Sequence, residues 1–165
     1  MIWLDMDGVF ADFDGHYERH FGYRPTRWPM EDTTDWKLIK SVPNFYITIP
    51  VMPGARDLFR YVDEVGEGCA FLTGVPVSIS ESANEKTEWG RINFPDVQVV
   101  CCPAKDKWRH GQPGDTLIDD YLRYRVDWTD MGGVFIHHTS VPSTIAQLRE
   151  WGKCALSSWE ASQPL

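Results

Sequence analysis

Short runs with almost no polar residue, set between stretches of helical periodicity, constrain this chain more than any other feature. "CAFLTG" (69–74), "VQVVCC" (97–102), "DTLIDD" (115–120) and "GGVFIHH" (132–138) have the length of strands, and Met1–Leu4 supplies a further short one. A strand with one wet face alternates apolar and polar residues. A strand apolar on both sides belongs in a parallel sheet covered by helices. Between these runs, "PGARDLFRYVDEV" starts suitably at Pro53, sets Leu58, Phe59 and Val62 on one face, and ends at Gly66 and Gly68. "NEKTEWGRINF" (84–94) reads as a helix, and "STIAQLREWG" (143–152) as a last one capped by Ser143 or Thr144. The expectation is an α/β fold built on a doubly wound parallel sheet.

One segment breaks the pattern. After a helix over His16–Phe21, the chain turns irregular and rich in Pro, Trp and Thr ("YRPTRWPMEDTTDW"), with one short helical piece near Trp36–Ser41. The chain therefore divides into a core (1–15 and 51–165) and an insertion (16–50) placed after the first strand. A length of 165 residues suits one domain rather than two.

Composition excludes several classes. The net charge of −8 argues against a nucleic-acid polymer or an anionic membrane as partner. No apolar run approaches the ~18 residues of a membrane span, and the N-terminus lacks the basic and apolar regions of a signal peptide. Cys69, Cys101, Cys102 and Cys154 show no CxxC spacing. They read as free thiols in a reducing compartment, so a cytoplasmic protein is expected.

In open parallel sheets, ligands bind beyond the carboxyl ends of the strands. Asp5 and Asp7, Thr73, and Asp119 with Asp120 each stand at such an end, and Lys105 and Lys107 follow another. Singly, each has a plain reading as a solvated turn or a surface charge. Together they imply one site. Carboxylates gathered at one point raise one another's pKa unless a cation sits among them. Hard oxygen ligands without histidine suit Mg²⁺ rather than zinc. Thr73 and Gly74 offer a hydroxyl and a backbone N–H to an anion, and a lysine balances charge. These are the parts of a phosphoryl-transfer site, where positioning and electrostatics do most of the work. A calcium loop of the EF-hand type is excluded, because its later acidic positions and closing glutamate are missing.

"DMDGVFADF", "FLTG", "AKDK" and "LIDD", in that order, resemble the four motifs of the haloacid dehalogenase-like phosphohydrolases. With "NFYITIPVMPGA" and "EKTEW", the chain is similar to the 5'(3')-deoxyribonucleotidase group, over nearly its whole length. The resemblance implies a small, mainly helical cap formed by the insertion. It implies Asp5 as nucleophile, giving an aspartyl-phosphate, and Asp7 as the acid and base. Mg²⁺ would be held by the Asp5 carboxylate, the Asp7 carbonyl and Asp119, with Asp120 as a ligand or the partner of one. Thr73 and Gly74 would hold the phosphoryl. Lys107 is favoured as the charge-balancing lysine, with Lys105 and Lys86 as the other candidates. Phe13, Trp28, Trp36 and Phe45 are candidates for stacking on a base; the plain reading makes them the insertion's own small core. Gly74 stands where the group often has serine, and Tyr121 where it has arginine.

The function expected is a Mg²⁺-dependent phosphomonoesterase acting on a small phosphate ester, a (deoxy)nucleoside monophosphate first and a sugar phosphate second. A phosphoacceptor switch uses similar residues but carries its phosphorylated aspartate on a later strand and has no cap-sized insertion. An inert phosphate-binding module would have lost a motif residue, and none is lost.

Overall fold

The computed structural model describes residues 1–27, 29–65 and 68–161, with 153–161 described by backbone alone. Strands β1 (Ile2–Leu4), β2 (Cys69–Gly74), β3 (Val99–Cys102), β4 (Thr116–Asp119) and β5 (Val134–His137) form one sheet. All its pairings are parallel, in the order β3-β2-β1-β4-β5. The chain builds outward from β1 to one edge, then resumes on the other side of β1. Connections therefore diverge between β1 and β4, which opens a crevice at the carboxyl ends of those two strands. The expected α/β parallel sheet is present.

The helices are α1 (Phe13–Phe21), α2 (Trp36–Lys40), α3 (Ala55–Val65), α4 (Ser82–Asn93), α5 (Arg125–Asp130) and α6 (Val141–Ala161). Side-chain alternation along the strands feeds two cores. Ile2, Leu4, Phe71, Ile118 and Ile136 join Leu58 and Val62 of α3, Trp89 of α4 and Leu148 of α6. On the other face, Leu72, Cys102 and Leu117 join Trp128 of α5, with Trp3, Val100 and Phe135 beside them. Phe71 is fully buried, edge-on to Phe10 (ring centroids 5.1 Å) and Phe94 (5.5 Å). Truncating such a ring to alanine costs about 3–5 kcal/mol.

Several boundaries differ from the sequence reading, each for a local reason. Helix α1 starts at Phe13 rather than His16, because the Asp12 side chain accepts from Gly15 N (3.0 Å) and caps it. Pro53 lies ahead of α3, in a turn completed by Gly54 at φ +79°. Helix α4 starts at Ser82, whose hydroxyl donates to Ile79 O (2.7 Å), rather than at Asn84. Neither Ser143 nor Thr144 caps α6. Ser140 does, accepting from Ser143 N at its side chain (3.3 Å) and from Thr144 N at its carbonyl (3.0 Å). Thr144 is buried inside the helix, where its hydroxyl meets His138 Nδ1 at 2.8 Å. Helix α5 has no counterpart in the sequence reading. Gly66 and Trp28 lie outside the described residues, as does the side chain of Cys154. Cys69, Cys101 and Cys102 are free thiols.

The inserted segment leaves and re-enters the core at one neck. Asp12 N donates to Pro50 O (2.9 Å), Met52 N donates to Phe10 O (2.7 Å), and Ala11 bridges Val51. Its aromatic residues Phe13, Tyr17, Phe45 and Tyr46 pack on one another, with centroids 5.4–6.4 Å apart, and are continuous with the larger core. No helix among the described residues is long and apolar enough to cross a membrane.

Candidate active site

Asp5 continues β1 by one residue, since its N–H donates to Ile118 O of β4 (2.9 Å). The chain then folds into a turn. Phe10 and Ala11 both donate to Met6 O (2.8 Å), and Gly8 N donates to Ala11 O (2.9 Å). Gly8 has φ +82°, a conformation that glycine adopts at no steric cost. Any side-chain carbon there would overlap the carboxylate of Asp120. Asp119 ends β4, beside Asp5. Lys107 follows β3 in a 3-10 helix, Ala104–His110.

Two buried lysines divide these acids between them. Lys107 Nζ lies 2.7 Å from Asp5 Oδ1 and 2.7 Å from Asp119 Oδ2. Lys86 Nζ, from α4, donates to Asp7 Oδ2 (2.6 Å), Thr73 Oγ1 (3.0 Å) and Gly74 O (2.6 Å). Lys107 thus stands where the sequence expectation puts the charge-balancing lysine. Lys105 does not join it: its side chain is exposed and does not border the cavity. Positions two apart in a helix of three residues per turn point about 240° apart around its axis, so only one of the pair reaches inward. Thr73 and Lys86 stand behind Asp7 rather than on the cavity wall, and Thr73 is fully buried. Thr73 is held to Lys86 instead of presenting its hydroxyl at the surface.

Oxygen atoms of Asp5, Asp119 and Asp120 lie within 4.8 Å of one another. Burial pushes the Asp5 carboxyl up to about 6; Lys107 opposes the rise, and Asp119 and Asp7 add to it. Burial also drives Asp120 well above the ordinary carboxylate range, reinforced by Asp119 and Asp5. Burial disfavours the charge on Lys107, yet Asp119 and Asp5 hold it above the usual lysine range. Asp120 Oδ1 is buried and has no hydrogen-bond partner among the described residues. A buried carboxylate oxygen without a donor is costly. An all-oxygen set short of positive charge is the donor chemistry that a hard divalent cation satisfies. The Asp7 carboxylate lies outside this trio, engaged by Lys86.

One cavity lies over the acids, with Asp5, Asp7, Lys107, Asp119 and Asp120 on its wall. Phe13, the first residue of α1, borders it, and Arg27, Asp32, Thr34, Trp36 and Tyr46 line it from the insertion; Tyr121, Arg123 and Tyr124 line it from the segment after β4. Gly74 borders it, close against Ala104. Phe13 reaches it although only 2% exposed, and Trp36 is 39% exposed. Phe45 is not on the wall. It is 1% exposed and packs among Phe13, His16, Phe21 and Tyr46 inside the segment. Trp28 lies outside the described residues.

Arg27, Asp32, Thr34, Tyr46, Arg123 and Tyr124 are polar or aromatic wall residues that the sequence did not single out, and Val75, Pro76 and Ala104 complete the wall. Arg27 sits in a stretch without period and carries no local signal. Arg123 and Tyr124 follow "IDD" closely, and proximity to a strand end was the available clue. No known family model matches the chain.

Proposed function

We propose that this chain is a phosphomonoesterase of the haloacid dehalogenase-like kind, with the inserted segment acting as a cap. Its substrate would be a (deoxy)nucleoside monophosphate, as in the 5'(3')-deoxyribonucleotidases that its motifs resemble. The observation that carries the proposal is convergence. Asp5, Asp7, Lys107, Asp119 and Asp120, from three separate strand ends, border one cavity, with Lys86 and Thr73 directly behind. Independent solvated turns would not need buried lysines shared between them.

In this reading an Asp5 oxygen attacks phosphorus and the bond to the leaving oxygen breaks, leaving an aspartyl-phosphate. Asp7 gives its proton to that oxygen, then takes one from the water that hydrolyses the acyl phosphate. Lys86 orients the Asp7 carboxylate through its 2.6 Å contact. Lys107 offsets the charge of Asp5 and Asp119 and keeps the nucleophile ionised against its burial. Asp5, Asp119 and Asp120 would hold Mg²⁺, which supplies positive charge to the phosphoryl oxygens when bound. Phe13, Trp36, Tyr46 and Tyr121 border the cavity, with Trp36 the exposed one of the four, and this aromatic lining supports a nucleotide over a sugar phosphate.

The test is phosphate release from a panel of nucleoside monophosphates and sugar phosphates, with Mg²⁺ and with EDTA, beside Asp5→Asn. Metal-dependent release concentrated on deoxynucleotides, and absent from the variant, is expected. Release confined to sugar phosphates removes the nucleotidase assignment. Full activity in Asp5→Asn overturns the mechanism.

A further inference from the structure

Arg27 lies between α1 and α2, where neither helix nor strand places it, yet its side chain is only 22% exposed and borders the cavity. Two neighbours hold it. Nη2 donates to Asp14 Oδ1 at 2.7 Å, and the guanidinium carbon sits 4.8 Å from the centre of the Phe13 ring. Asp14 and Phe13 open α1, next to the neck through which the insertion leaves the core. Both supports are therefore close to the catalytic turn.

A guanidinium offers five N–H donors. Among the described residues Arg27 makes one hydrogen bond, so its Nε and Nη1 are uncommitted. The lysines differ. Lys86 spends its three donors on Asp7, Thr73 and Gly74, and Lys107 spends two of its three on Asp5 and Asp119. Arg27 is thus a pre-oriented cation with spare donors on the cavity wall, whereas the two buried lysines are engaged by Asp5, Asp7 and Asp119. It shares the cavity wall with Asp5, Asp7 and Asp120.

We infer that Arg27 is the group by which the inserted segment grips the transferring phosphoryl, an assignment that rests on the phosphohydrolase reading of the cavity. The planar fork suits two phosphoryl oxygens at once, which a lysine cannot match. Phe13 and Asp14 act as positioning residues. Arg27 therefore reads the part common to all phosphate esters and leaves discrimination to the aromatic wall. Phosphoryl binding would tie the segment to the floor.

The experiment measures binding of inorganic phosphate, with Mg²⁺ present, to the wild type, Arg27→Gln and Arg27→Lys by calorimetry. KM and kcat for a nucleoside monophosphate and for p-nitrophenyl phosphate are measured alongside. Charge-assisted bonds of this kind predict that Arg27→Gln weakens phosphate binding about ten- to a hundredfold. The loss in kcat/KM should be of similar size for both esters. Arg27→Lys, which can still pair with Asp14, should be intermediate and should melt within a few degrees of the wild type. Unchanged phosphate binding in Arg27→Gln alongside a lowered melting temperature would make Arg27 a mere strut and overturn the inference. A loss confined to the nucleotide would overturn it in favour of leaving-group recognition. Wild type that binds phosphate through Arg27 but hydrolyses no ester would retain the inference and remove the hydrolase; wild type that neither binds nor hydrolyses removes both.

Discussion

Gly8 and Asp120 occupy space that could not hold both the Asp120 carboxylate and a side chain at Gly8. The glycine of the first motif and the second aspartate of the last one, separated by most of the chain, are thereby a single packing unit. The positive φ of Gly8 adds a backbone reason for the same residue.

Gly8→Ala should lower folding stability by about 1–2 kcal/mol from the backbone conformation alone, and by more once Asp120 is displaced. Urea unfolding measures the first effect. A Mg²⁺ titration followed by thermal shift measures the second, with weaker stabilisation expected in the variant. An alanine variant with wild-type stability and wild-type Mg²⁺ response would show that neither constraint operates.

Lys107→Met removes the cation shared by Asp5 and Asp119, leaving buried carboxylates opposed. Breaking a buried pair of this kind costs about 3–5 kcal/mol. The variant should melt well below the wild type in EDTA and recover part of the difference when Mg²⁺ is added. Turnover should be lost. Equal melting temperatures in EDTA would contradict the reading of Lys107 as the principal counter-charge.

His16 is buried in the insertion, against Phe45 and His20. Burial lowers its pKa below the usual 6.5, and the charges of His20 and Arg19 lower it further. The unfolded chain then takes up the proton first. Stability from this group is complete above pH 6.5 and is lost as pH falls from there through the lowered folded-state value. Unfolding free energies between pH 7.5 and 5 should fall more steeply in the wild type than in His16→Gln; parallel curves would refute it.

Trp36 is the exposed aromatic of the wall. Stacking of a base on an aromatic ring contributes about 1–3 kcal/mol, so Trp36→Ala should raise KM for a nucleoside monophosphate about tenfold and leave p-nitrophenyl phosphate nearly unaffected. Equal effects on both would assign Trp36 to holding the segment rather than the base.

Much of the floor was legible in the sequence. Apolar strands followed by acids place Asp5, Asp7, Asp119 and Asp120 at one sheet edge, because parallel strands share the direction in which they end. Lys107 could be preferred to Lys105 but not separated from it, since both follow β3 and only the turn of the 3-10 helix decides which points inward. Lys86 and Thr73 were found, but not their mutual contact. Phe45 and Phe13 look alike in sequence; packing sends one into the segment's interior and the other to the wall.

Sequence alone determined the α/β class, the order of the strands along the chain and the chemistry gathered at their ends, because these follow from local periodicity and residue type. Tertiary structure decided which lysine meets which carboxylate, that Gly8 makes room for Asp120, and that Arg27, from a segment with no period at all, borders the same cavity as the acids. Those are contacts between residues far apart in the chain. They depend on how the insertion's neck and the β1–β4 crevice are oriented in space, which no local pattern encodes.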